Sequence, residues 1–385
     1  MKHILLSILI CGMLAGAVSC DVEDRTVELP DLVDPNATVE TMALFENLDH
    51  YRNDQILFGH QDDLAYGVHW LNEEGRSDVM EVTGSYPAMY GWELGDLEYG
   101  NEENLDGVNF ENMKGWIIEG YERGGVIAIS WHMNNPVTGG DAWDTGGTPV
   151  PTVLPGGENH EMFNEWLDKF ADFVEELRIE RNGEEEKAPL IFRPYHEHNG
   201  SWFWWGADHS SPDEYKELWQ YTVEYLRDEK GINHMLYAYS PDRFQDSEEY
   251  LERYPGDEYV DILGYDNYHI DDQVNHEEFQ RQMGIVVELA EDRNKIPALT
   301  ETGDEALETE NWFTEHLYPA ITEDELTRRI AYVHVWRNAN EETDRVDHFF
   351  TPYPGHSAED DFIRFYEKPE IWFEDDLPDM YSPLK

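Results

Sequence analysis

The chain has 385 residues, 40% apolar and 13% aromatic, with 84 acidic against 26 basic side chains and a formal net charge of −58. That apolar content can bury a large core and excludes a wholly disordered chain. The charge excludes nucleic acid and other polyanions as natural partners and favours a neutral one.

Residues 1–19 read as a lipoprotein signal peptide. Lys2 and His3 precede an apolar run, Ile4 to Ile10, and Ala17-Val18-Ser19-Cys20 resembles the bacterial lipobox, whose Cys is lipidated and becomes the first mature residue. Cys20 is the expected lipidation site, with an exported, lipid-anchored protein at the outer membrane, cell surface or periplasmic face as the expected outcome. Cleavage of an ordinary signal peptide nearby is the other reading. Cys11 and Cys20 are the only cysteines, so the mature domain has neither disulfide nor thiol chemistry. Residues 20–39 are acidic, punctuated by Pro30 and Pro35, and read as a tether to one domain over 40–385. Lys is scarcer than Arg, nine against seventeen. An acid-rich, lysine-poor surface suits concentrated salt, where the Debye length falls to about 3 Å and self-repulsion is screened.

Eight apolar, strand-like runs follow: Gln55–His60, Tyr86–Gly91, Gly125–His132, Pro189–Glu197, His234–Ser240, Val260–Tyr268, Ile296–Gly303 and Ala331–Arg337. Helical periodicity lies between them. Glu161–Glu180 sets Phe163, Trp166, Phe170, Phe173, Val174 and Leu177 on one stripe, and Glu214–Lys230 does so with Leu218, Tyr221 and Leu226. Glu277–Ala290, Glu323–Ile330 and Ala358–Tyr366 continue the series, and Trp116, Trp166 and Trp219 read as core. Strands alternating with helices predict a parallel sheet, and eight strands predict a single (β/α)8 barrel. An open doubly wound sheet is the alternative, but no Gly-rich phosphate loop follows an early strand.

In a barrel the chemistry sits at the carboxyl ends of the strands. Those ends are unusually polar here: His60-Gln61-Asp62-Asp63, Trp131-His132, His196-Glu197-His198-Asn199, Asp266-Asn267-Tyr268-His269, Glu301-Thr302 and Trp336-Arg337-Asn338. Glu197 and Glu301 each end a strongly apolar strand. Ionised carboxylates are seldom buried without a partner, so each is either half of a structural pair, Glu197 with Arg193 for instance, or functional. Glycoside hydrolysis needs two carboxyl groups about one bond, one neutral to protonate the leaving oxygen and one ionised. Trp202, Phe203, Trp204 and Trp205 follow Glu197 directly, and a wall of aromatics would raise its pKa as an acid requires and offer platforms to sugar rings.

The segments "RPYHEHNGSWFWWG", "YSPD", "DILGYDNYH", "ALTETG" and "HVWRN" together resemble glycoside hydrolase family 26, chiefly endo-β-1,4-mannanases, over roughly residues 40 to 368. The resemblance implies a retaining enzyme without cofactor or metal, with Glu197 as acid/base and Glu301 as nucleophile. It implies that His196 contacts the nucleophile or a nearby sugar, and that His132 and Trp202 line the site. Asp266 and Tyr268 would be the strand-six pair, the Tyr orienting the nucleophile. Trp336 and Arg337 would shape the glycone side, and Trp143 would be a further sugar contact. The implied partner is a β-mannan polysaccharide or oligosaccharide, and the expected state a monomer. His198 stands where the family's acid motif often has Met. The residues also leave other readings open: exo action, lichenase- or xylanase-type cleavage, a metal-dependent hydrolase using His60, His132, His196, His198 and Asp266, and a non-catalytic glycan-binding lipoprotein.

Overall fold

The computed structural model describes residues 32–181, 183–270, 273–339 and 344–384. The lipobox, Cys20 and most of the tether lie outside the described residues.

Eight parallel strands close on themselves: β1 (Ile56–Gln61), β2 (Met89–Glu93), β3 (Val126–Trp131), β4 (Leu190–Pro194), β5 (Met235–Tyr239), β6 (Ile262–Asp266), β7 (Ile296–Thr302) and β8 (Tyr332–Val335). Closure is made by β1 against β8, with Leu57 opposite Tyr332 and His60 opposite Val335. The open-sheet alternative is therefore excluded. All but one of the strand residues are buried, as expected of a parallel sheet sandwiched between a packed interior and outer helices. A short added strand, Ile371–Trp372, pairs with the start of β1.

The outer helices follow local rules. Phe110–Arg123 starts at Asn109, whose side chain accepts from the backbone N–H groups of Glu111 and Asn112, and ends at Gly124 with φ 103°. Pro212–Glu224 starts at a reciprocal Ser211–Glu214 capping box with Pro in its first turn. The predicted stripe from Phe163 to Leu177 is buried throughout.

Several boundaries differ from the sequence reading, and the fourth strand, expected to reach Glu197, ends at Pro194. The helix predicted to reach Glu180 is His160–Glu175, after which Arg178–Arg181 and Glu184–Lys187 form an antiparallel hairpin. The apolar stripe ends at Leu177, and Gly183 at φ 82° turns the chain. The helix predicted over Glu323–Ile330 is a single 3-10 turn, Thr327–Arg329. The apolar residues that dock against the barrel lie earlier, at Trp312, Phe313, Leu317, Ala320 and Ile321. The second strand runs two residues beyond Gly91, which brings Glu93 to the mouth.

The described chain enters at the opposite end. The Val33 N–H donates to Asp261 Oδ1 at 2.9 Å, the Tyr237 N–H donates to Asp261 Oδ2 at 2.9 Å, and Arg227 donates to the Val33 carbonyl at 3.1 Å. Asp261 immediately precedes β6, so this anchor lies at the amino ends of the strands.

Candidate active site

Three carboxylates meet at the carboxyl ends of β4, β6 and β7. One oxygen each of Glu197, Asp266 and Glu301 lies within 4.8 Å of the others. Glu301 is buried and doubly held: Tyr268 Oη donates to its Oε1 at 2.7 Å, and an Arg193 N–H donates to its Oε2. Arg193 also donates to Asp266 Oδ2 at 2.7 Å, while Thr300 Oγ1 donates to Asp266 Oδ1 at 2.7 Å. Arg193 thus pairs with Glu301 and Asp266, and the structural pairing of Glu197 with Arg193 is not what the fold makes.

Glu197 sits beyond the end of β4, in a turn where it has φ 52° and Tyr195 has φ 49°. Left-handed backbone at a non-glycine residue costs about 1–3 kcal/mol and persists only where its surroundings impose it. The Glu197 N–H donates to the Ser240 carbonyl at 2.8 Å, and Tyr215 Oη donates to the Tyr195 carbonyl at 3.1 Å. Burial, and then the charges of Glu301, Asp266 and Asp242, push the Glu197 carboxyl well above the usual carboxylate range.

The aromatic wall divides in two. Trp202 is 38% exposed and donates its indole N–H to Glu197 Oε2 at 2.7 Å. Trp204 and Trp205 are fully buried and donate to the carbonyls of Met133 and His196, so they brace the loop rather than face a ligand. The Trp202 indole bond favours the ionised acid, while burial and the neighbouring carboxylates raise its pKa.

His132 and His196 face each other, Nε2 to Nε2 at 3.1 Å. Hydrogen bonds to Glu301 come from Tyr268 and Arg193, and that of His196 goes to His132. Burial and the nearby Arg193, His132 and His198 hold His196 well below the usual imidazole value. Behind His132 lies Glu93, which sequence reasoning missed. It accepts from His132 Nδ1 at 2.8 Å, the His132 N–H at 2.6 Å and Ser130 Oγ at 2.7 Å. Burial acts to raise Glu93, but the His132 charge and these bonds hold it below the ordinary value, and burial acts to lower His132 while Glu93 raises it. The available signal was a carboxylate ending an apolar strand, as at Glu197 and Glu301.

Trp143 is 48% exposed, and its ring stacks on His132 at 5.0 Å and 13°. Trp336 packs edge-on to His132 at 6.3 Å. Arg337 is buried and reaches Asp106 at 3.1 Å, Asp344 at 2.9 Å and Tyr66 Oη at 3.3 Å. The 60–62 segment is braced internally: His60 Nδ1 lies 2.7 Å from Asp63, Gln61 Oε1 lies 3.1 Å from His334, and Asp62 accepts from Tyr66 at 2.6 Å.

The imidazoles of the metal reading are only partly gathered. His132 and His196 touch, but His198 lies in a slot between Tyr215 and Tyr239, and His60 is bound to Asp63. Among the described residues, Glu197, Asp266 and Glu301 form the group with ligand spacing, and the guanidinium of Arg193 already binds two of them.

The sequence profile described as Glycosyl hydrolase family 26 matches residues 33–356. A mannan endo-1,4-beta-mannosidase of Bifidobacterium adolescentis is 36% identical over 356 residues, covering 87% of this chain and 34% of that protein. The chain therefore spans about a third of the length of that relative. A mannan endo-1,4-beta-mannosidase of Bacillus subtilis is 32% identical, covering 69% of this chain and 73% of its own length. Among solved structures, a GH26 beta-mannanase of Bacteroides ovatus superposes with a TM-score of 0.85 at 44% identity, covering 90% of this chain and 98% of that one. A modular endo-beta-1,4-mannanase of Cellulomonas fimi gives 0.83 at 35% identity, covering 91% and 79%.

Proposed function

The chain belongs to glycosyl hydrolase family 26, and on that premise we propose that it cleaves β-1,4-mannosidic bonds within mannan, glucomannan or galactomannan, with retention and without a cofactor. The observation that carries this reading is the placement of Glu197 and Glu301. Their closest oxygens lie within 4.8 Å, nearer to the ~5–5.5 Å carboxyl spacing of retaining enzymes than to the ~6.5–9.5 Å that leaves room for a water in inverting ones.

In this mechanism Glu301 attacks the anomeric carbon while Glu197 gives its proton to the departing glycosidic oxygen. Tyr268 and Arg193 hold the two nucleophile oxygens and keep them aimed. Once Glu301 is esterified, its charge no longer opposes ionisation of Glu197. Glu197 then takes the proton of the attacking water, and the ester is hydrolysed. Burial lifts the acid's pKa, and the covalent step itself lowers it again.

His132, Trp143, His196, Trp202, Trp336 and Arg337 are the sugar-facing set in this reading. Trp143 and Trp202 supply exposed indole faces, and Arg337 stands on the side of β8 and β1. Cys20 carries the lipid in the proposed mature form, an exported lipoprotein with the barrel outside the cytoplasm.

The test is product analysis on mannan, glucomannan, lichenan and xylan with wild type and Glu301→Ala. A ladder of manno-oligosaccharides, absent with the variant, is expected. Mannobiose alone from the outset would replace endo with exo action. Wild type that binds mannan without cutting it would replace the enzyme with a binding protein.

A further inference from the structure

The turn that carries Glu197 is held from the side by a residue that touches neither the reacting bond nor Glu301. Asn199, two residues on and half-buried, donates through Nδ2 to the Asp242 carbonyl at 3.0 Å and the Arg243 carbonyl at 2.9 Å. Its Oδ1 accepts from the Asp242 N–H at 2.8 Å. The side-chain amide therefore does what a strand's peptide group does in a ladder, accepting from and donating to the neighbouring loop. The backbone continues the same seam, since the Glu197 N–H bonds to the Ser240 carbonyl at 2.8 Å. Strand pairing between β4 and β5 stops at Phe192 with Tyr237, so beyond that point these bonds connect the two loops.

We propose that Asn199 is a positioning residue for the acid/base. It clamps the loop after β4 to the loop after β5, holds Glu197 in its left-handed turn, and keeps its carboxyl facing Glu301. The inference rests on the reading of Glu197 as acid/base. Without the clamp the turn relaxes toward ordinary backbone and the acid swings from the leaving oxygen, while Glu301 keeps its partners Tyr268 and Arg193. Losing a positioned acid matters only where the leaving group needs a proton.

The experiment compares wild type and Asn199→Ala on mannan and on a dinitrophenyl β-mannobioside, whose phenolate departs unprotonated. On mannan, kcat/KM is expected to fall roughly 10- to 100-fold, part of the ~10²–10⁴ a positioned general acid supplies. On the activated glycoside it is expected to fall by no more than about threefold. The basic limb of the mannan pH profile is expected to move to lower pH, because Glu197 leaves the field of Asp242 and Glu301. Equal losses on both substrates, or an unmoved pH profile, would overturn the clamp. Asn199→Ser is the second variant where Ala does not fold; failure of both to fold would make Asn199 a folding residue and overturn the assignment. Wild type inactive on both substrates would instead fail the acid/base reading itself.

Discussion

A phenol and a guanidinium share out the two oxygens of Glu301, so the proposed nucleophile is oriented before a ligand arrives. Removing the phenol separates aim from charge. Tyr268→Phe is expected to cost about 1.5–3 kcal/mol of transition-state stabilisation, the range for a bond to a charged group, or roughly 10- to 150-fold in kcat. KM for mannan should change little, and steady-state kinetics on defined manno-oligosaccharides check it. The charge of Glu301 is the largest electrostatic reason, after burial, that Glu197 holds its proton above the ordinary carboxylate range. Replacing it by a neutral group removes a repulsion on the ionised form, so the pKa must fall. In Glu301→Gln the Glu197 pKa is expected to fall toward the ordinary carboxylate range, followed by ¹³C NMR of the side-chain carboxyl. An unmoved titration would place the cause wholly in burial.

At the scale of the strands, the interior is shaped by close approach. A Cβ at Gly91 on β2 would come within 2.0 Å of Gln61 Oε1 and 2.3 Å of His334 Nε2. Gly91→Ala is therefore expected to destabilise the barrel by about 1–3 kcal/mol, the usual cost of overpacking, read from the urea midpoint at unchanged m-value. The same strand shows what a sequence discloses and what it hides. Glu197 and Glu301 stood out because an apolar run stopped on a carboxylate. Glu93 obeys that rule, but Gly91 interrupts the apolar run two residues earlier and masks it. Arg193 was visible only as a possible partner of Glu197, since nothing local says that its guanidinium crosses the barrel to β6 and β7. The clamp at Asn199 belongs to contacts about forty residues apart, which periodicity does not encode. The hairpin after Leu177 was hidden for a different reason: the run to Glu180 carries no Pro or Gly stop, and nothing local marks that the docking face ends at Leu177.

For the whole molecule, strand number was readable because each strand and helix carries its own period, and eight parallel strands have a closed solution. Boundaries were less so, since a helix ends where its docking surface ends. The net charge of −58 acts at this scale too. Like charges spread over one surface repel at low ionic strength and are screened as salt rises. The melting temperature is expected to climb from low to molar sodium chloride, and a flat scan would remove salt adaptation as a reason for the composition. The anchor of Val33 on Asp261 settles a matter of direction. It lies at the amino ends of the strands, and Glu197 and Glu301 lie at the carboxyl ends. On the lipoprotein reading, the lipid-bearing segment would join the barrel on the side opposite Glu197 and Glu301.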